Sequence, residues 1–118
     1  MAGLKTALVV ADSPVMRFLI KTVIEETHPQ WRVLEATDAA GALKAATRAR
    51  FDVVLIDLQI PGIQGIELAE RLQTKFPAAS LSLITACHEP TPGADVEKLG
   101  FGMIPKPFDA AKIREALG

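Results

Sequence analysis

Short β-branched runs alternate along this chain with stretches of helical period, which predicts an α/β fold with a parallel sheet and right-handed crossovers. Two observations carry the prediction. Five runs read as strands: "ALVV" (7–10), "WRVLEA" (31–36), "DVVLID" (52–57), "SLSLIT" (80–85) and "GMIP" (102–105). Within the third, Val53-Val54-Leu55-Ile56 shows no polar alternation, as expected of a central strand covered on both faces.

The segments between the strands carry helix-start chemistry. After the first strand, Ser13 is placed to cap and Pro14 to take the first helical position, where its missing N–H costs nothing. Met16, Leu19, Ile20 and Val23 form the expected inward stripe of that helix. A second helix opens at Asp38 and buries Ala39, Ala42, Leu43 and Ala46. A third follows Gly65 with Leu68, Ala69, Leu72 and Phe76 inward, and the last starts at Asp109 with Ala110, Ile113 and Leu117 inward. Pro90, Pro92 and Gly93 interrupt residues 87–99, so only a short fourth helix is expected there, at about 94–99, after an irregular loop.

Composition narrows the function. The chain has 118 residues, 49% of them hydrophobic and 23% charged, with a net charge of -1. That is the usual size of one domain with one well-buried core, and it offers no electrostatic reason for binding nucleic acid or a membrane surface. No apolar run approaches the ~20 residues that span a bilayer. "MAGLKTALVV" lacks a cleavage site and reads as a strand rather than a signal peptide, so a cytoplasmic location is expected. The single cysteine, Cys87, excludes an internal disulfide and a multi-cysteine metal cluster. His28 reads as a surface residue, His88 as a loop residue and Trp31 as packing.

In open parallel sheets, ligands bind beyond the carboxyl ends of the strands, near the topological switch point. The polar residues at those ends are Asp12, Asp57, Thr85 and Lys106, which puts two acids, a hydroxyl and an ammonium in one crevice. The second strand, ending at 35–37, adds nothing evident. Each residue alone has a structural explanation, as a cap, a strand residue or a solvated cation. Four of them at four strand ends point to a site.

The motifs that hold these residues resemble, in order and over essentially the whole chain, the receiver (phosphoacceptor) domain of bacterial two-component response regulators. "LVVADSPVMR" resembles its first strand and helix, "DVVLIDLQIPGIQGIEL" its phosphoacceptor strand and following loop, and "LITA" and "KPF" complete the set. The resemblance implies a flavodoxin-like, doubly wound five-stranded sheet in the order 2-1-3-4-5. Five helices accompany it, the fourth short or irregular, in a single receiver domain over 1–118.

The resemblance also implies chemistry. Asp57 is the implied phosphoacceptor, taking its phosphoryl group from a sensor histidine kinase, a histidine phosphotransfer protein or a small phosphodonor. Mg²⁺ is the implied cofactor, held by Asp12, Asp57 and the backbone carbonyl of Gln59. Lys106 and Thr85 are the implied contacts to phosphoryl oxygens, with Thr85 moving inward to start the switch. A downstream effector protein or domain is the implied output partner, without direct contact to nucleic acid or membrane. Beyond assisting its own phosphorylation and dephosphorylation, such a chain is not an enzyme. Ala86 leaves room for a donor, Lys106-Pro107 is a candidate cis peptide, and Gln59 and Cys87 sit where relatives tune phosphoryl lifetime. Pro61, Gly62 and Gly65 are expected as supports, supplying a tight turn and positive φ before the third helix.

Three features depart from the family. Ala11 stands where an acid is usual, so one negative charge near the cation is lost and a weaker metal site is expected. Met103 stands where Tyr or Phe acts as a rotameric switch; Phe101, on the same face by strand alternation, substitutes only in part. The Pro-rich approach to the fourth helix lies on the surface where receivers signal. Input chemistry is therefore expected to be kept and output reworked. A competing reading is a pseudo-receiver, a phosphorylation-independent protein-binding module, which Ala11, Met103 and the altered fourth helix favour and Asp57, Thr85 and Lys106 oppose. A flavin- or nucleotide-binding protein or a hydrolase is disfavoured: "ADSPVM" contains no glycine, and no second acid follows Asp57 within "DLQ". The ending "REALG" fits a stand-alone regulator and a receiver from a longer protein alike.

Overall fold

The computed structural model describes residues 5–60, 65–86, 101–106 and 109–117, apart from the side chains of Ala86, Pro105 and Lys106. The elements run β1 (Thr6–Val10), α1 (Pro14–Thr27), β2 (Arg32–Ala36), α2 (Ala39–Ala46), β3 (Val53–Asp57), α3 (Gly65–Lys75), β4 (Ser80–Ala86), β5 (Gly102–Lys106) and a C-terminal helix (Ala110–Leu117). All pairs in the sheet are parallel, and the order is β2-β1-β3-β4-β5, as expected. The short helix expected at about 94–99 lies outside the described residues.

The strand in the middle is β3, and its side chains feed two cores in turn. Val54 and Ile56 pack with Leu8, Leu68, Leu72 and Leu83 under α2 and α3. Val53 and Leu55 pack with Val9, Ile20, Ile24 and Ile113 under α1 and the C-terminal helix. Burying each such side chain stabilises the fold by roughly 1.5–3 kcal/mol, so the unbroken apolar run has a direct physical cause.

Short polar side chains start three of the helices. Ser13 is extended (φ -80°, ψ 119°) and its Oγ accepts the Met16 N–H at 3.2 Å, with Pro14 following. Asp38 Oδ1 accepts from the Gly41 N–H at 2.7 Å, and Asp109 Oδ1 from the Lys112 N–H at 3.0 Å. Each cap satisfies a donor that the first helical turn leaves over.

The inward face of α1 keeps Met16, Ile20 and Val23 as expected but takes Ile24 in place of Leu19. Ile20, Val23 and Ile24 are buried with Met16 packed beside them. Leu19, expected inside, is 40% exposed, next to Val15 at 76% and Phe18 at 71%. Both stripes have helical spacing, and the packing of α1 on the C-terminal helix selects the one that meets Ile113 and Leu117. The other helices bury their expected faces, with Leu43, Phe76 and Ala110 partly covered. His28, expected as a surface residue, is half-buried: its ring stacks on Trp31 at 3.8 Å and 6°. Among the described residues, no helix is long and apolar enough to cross a membrane.

Candidate functional site

Parallel register lines up the expected residues at one end of the sheet. Val10 pairs with Ile56, so Ala11 and Asp12 continue β1 beside Asp57, the last residue of β3. Asp57 in turn pairs with Ile84, Thr85 with Pro105 and Ala86 with Lys106. The backbone positions of all four expected residues thus meet across β1, β3, β4 and β5. The chain leaves β1 for β2 on one side and returns to β3 on the other, so Asp12 and Asp57 flank the switch point where open α/β sheets bind ligands. The side chain of Lys106, the Lys106-Pro107 bond, Pro61, Gly62, Cys87 and His88 lie outside the described residues.

Asp57 is 2% exposed, although it carries a carboxylate. Its Oδ1 accepts the Gln59 N–H at 2.9 Å, while the Leu58 N–H donates to the Ile84 carbonyl at 2.9 Å. Two successive amides therefore shape the turn, one toward β4 and one onto the acid. Removing a carboxylate from water costs several kcal/mol unless its surroundings compensate, a cost with no packing advantage. Asp12 is exposed, beside the fully buried Ala11, and Thr85 is half-buried.

Gly65 supports this end in a different way from the one expected. A Cβ there would lie 2.8 Å from Leu58 Cδ2, 2.9 Å from Leu58 Cα and 3.4 Å from the Asp57 carbonyl. The close approach of α3 to the end of β3, and not a positive φ, requires glycine at this position.

Arg17 and Glu35 join the site without having been expected in it. The Ala11 N–H donates to the Ala36 carbonyl at 3.0 Å, and β2 ends there. The Ala11 carbonyl is met instead by Arg17 Nη1 at 2.7 Å. Arg17 Nε lies 3.3 Å from Glu35 Oε1, and Lys21 Nζ lies 3.5 Å from Glu35 Oε2. The second strand, expected to add nothing, thus contributes an acid that braces the first. The sequence signal was a cation one turn into α1 and an acid near the end of the next strand; only the fold makes them neighbours.

The model of the response regulator receiver domain matches residues 7–118. The chain belongs to this family. This receiver is 30% identical over 111 residues to the chemotaxis protein CheY of Listeria monocytogenes, covering 93% of this chain and 92% of that one. It is 31% identical over 111 residues to the sporulation initiation phosphotransferase F of Bacillus subtilis, covering 93% and 88%. The structure is similar to the chemotaxis response regulator CheY4 of Vibrio cholerae, with a TM-score of 0.81 and 27% identity over 97% of this chain and 96% of that one. Against the probable transcriptional regulatory protein TcrX of Mycobacterium tuberculosis, at 32% identity, the receiver spans only 34% of the relative's length.

The donor set of this receiver suits one kind of metal. Among the described residues, no three His, Cys, Asp or Glu side chains gather closely enough to enclose an ion. Asp12 and Asp57 instead offer hard oxygen donors from adjacent strands. So small a set of protein oxygens fits Mg²⁺, which dehydrates reluctantly and keeps several waters, better than a fully ligated structural metal.

Proposed function

We propose that this receiver is a phosphorylatable switch whose phosphoacceptor is Asp57. The observation that carries the reading is the nearly buried Asp57 carboxylate, at the end of the central strand and beside the switch point. An Asp57 oxygen attacks phosphorus in line. The P–N bond of a ring-protonated phosphohistidine on a sensor kinase or phosphotransfer protein breaks, and the imidazole leaves neutral, keeping the proton on its other ring nitrogen. A small phosphodonor serves the same carboxylate. Mg²⁺, when held by Asp12, Asp57 and the Gln59 carbonyl, supplies neutralising charge to the phosphoryl oxygens. Lys106 adds a point charge and Thr85 a hydroxyl donor, and the inward movement of Thr85 carries the switch to an effector protein or domain. The whole of 1–118 acts as one receiver domain, and the chain is a signalling phosphoacceptor rather than an enzyme acting on a separate substrate.

The exposed apolar side chains of Val15, Phe18 and Leu19 support a protein donor. They occupy the first two turns of α1, which begins two residues after Asp12.

Incubation with Mg²⁺ and acetyl phosphate, followed by intact-mass measurement, tests the reading. A phosphoryl adduct in the wild type, lost in Asp57→Asn, is the expected result. Absence of an adduct at high Mg²⁺ and donor favours a pseudo-receiver, the reading that Ala11 supports along with Met103, half-buried on the same face as Phe101. Ala11→Asp is expected to tighten Mg²⁺ binding by restoring a second acid on β1. Equal affinity of the two proteins for Mg²⁺ would show that the missing acid is no significant ligand.

A further inference from the structure

We propose that Arg17 is a positioning residue for Asp12, acting as a clamp on the peptide bond that joins Ala11 to Asp12. The proposal rests on the reading of Asp12 as a cation-binding acid. Ala11 is fully buried, and its N–H donates to the Ala36 carbonyl at the end of β2. Because β2 stops at Ala36, the Ala11 carbonyl has no strand partner at its level. A buried carbonyl without a donor is rare and costly, and Arg17 Nη1 at 2.7 Å fills that position.

Holding this one oxygen has a consequence for the acid. The peptide unit is planar, so fixing the Ala11 carbonyl fixes the plane from which the Asp12 Cα departs. The guanidinium is itself held: its Nε is 3.3 Å from Glu35 Oε1, and the Arg17 side chain is only 17% exposed. A guanidinium can serve two acceptors on different sides through its rigid fork, which a lysine ammonium does less well. With alanine at position 11, Asp12 is the one acid this strand end offers, so its direction matters more than in a site with paired acids.

Positioning and electrostatics predict opposite signs for removal of Arg17. A clamp lost from Asp12 weakens cation binding, whereas a positive charge lost from beside a cation strengthens it. Glu35, which Arg17 shares with Lys21, offsets part of the guanidinium charge. Lys21 stays beside Glu35 when Arg17 is removed, so the local field changes little and the loss of positioning is the larger effect.

Calorimetric Mg²⁺ titrations of the wild type, Arg17→Ala, Arg17→Lys and Glu35→Gln, with thermal midpoints measured in chelator, decide between them. Arg17→Ala is expected to bind Mg²⁺ about 10-fold more weakly, at the low end for loss of a group that supports a metal ligand. Arg17→Lys is expected to fall between it and the wild type, and Glu35→Gln to lose least. An Arg17→Ala protein that binds Mg²⁺ as tightly as the wild type, or more tightly, overturns the proposal. So does one whose thermal midpoint falls while its Mg²⁺ affinity stays unchanged. If Arg17→Ala does not fold, Arg17→Lys decides, and wild-type affinity there overturns the proposal equally. A wild type that binds no Mg²⁺ removes the metal reading and the clamp together, whereas a binding wild type with an unchanged variant removes the clamp alone.

Discussion

An aspartate stands at each end of β3, and the two serve opposite purposes. Asp52, just before the strand, is exposed, and its Oδ2 accepts the Thr6 N–H at 2.9 Å. Its own N–H donates to the Thr6 carbonyl and its carbonyl accepts from Ser80, both at 2.9 Å, so this residue stitches β1, β3 and β4 together at their amino ends. Asp57, five residues on, is 2% exposed at the carboxyl end. An exposed acid can join strands at little solvation cost, whereas a buried one needs a compensating environment. The amino end of the sheet is thus tied by its acid, while the carboxyl end carries the acid proposed as phosphoacceptor.

Substitutions at the two ends test that contrast. The largest effect is expected for Asp57→Asn: complete loss of the phosphoryl adduct in intact-mass spectra, with a thermal midpoint unchanged or raised because a neutral amide costs less to bury. An adduct surviving in that variant would place the chemistry elsewhere. Next comes Gly65→Ala, which forces Leu58 away from α3. It is expected to cost about 2 kcal/mol in urea unfolding and to slow labelling by acetyl phosphate. Asp52→Ala is expected to cost about 1 kcal/mol, the scale of one hydrogen bond, with the labelling rate unchanged. Slower labelling there would mean that the two ends are coupled and the contrast fails.

Smaller still is His28→Ala, which removes the stack on Trp31 at the amino end. A loss of about 0.5 kcal/mol and a changed Trp31 emission are expected, again without effect on labelling. Trp31 is the only tryptophan of the chain and lies just before β2. Its emission should therefore stay constant during a Mg²⁺ titration at the opposite end, and a response would show that the signal crosses the sheet.

Much of the fold was legible because local chemistry specifies it. Ser13, Asp38 and Asp109 each sit where a helix begins, and each side chain accepts from an amide three residues on. The run from Val53 to Ile56 announced a strand covered on both faces, and it feeds both cores. Choices between equally periodic alternatives were not legible. Leu19 and Ile24 both suit an inward stripe of α1, and contact with the C-terminal helix put Ile24 inside. The need for glycine at position 65 was legible, but its reason was not, since backbone crowding depends on how closely α3 meets Leu58.

The same division holds at the site. By itself the sequence determined which residues end the strands, because strand periodicity and the rule for open sheets together select Asp12, Asp57, Thr85 and Lys106. It also put alanine at position 11, where the resemblance to receivers implies an acid. Only the tertiary structure decided that Asp57 is buried while Asp12 stays exposed, and that Arg17, paired with Glu35, reaches the Ala11 carbonyl. Burial and long-range hydrogen bonds depend on where neighbouring strands stop, and Ala36, the last residue of β2, leaves the place at the Ala11 carbonyl that Arg17 fills.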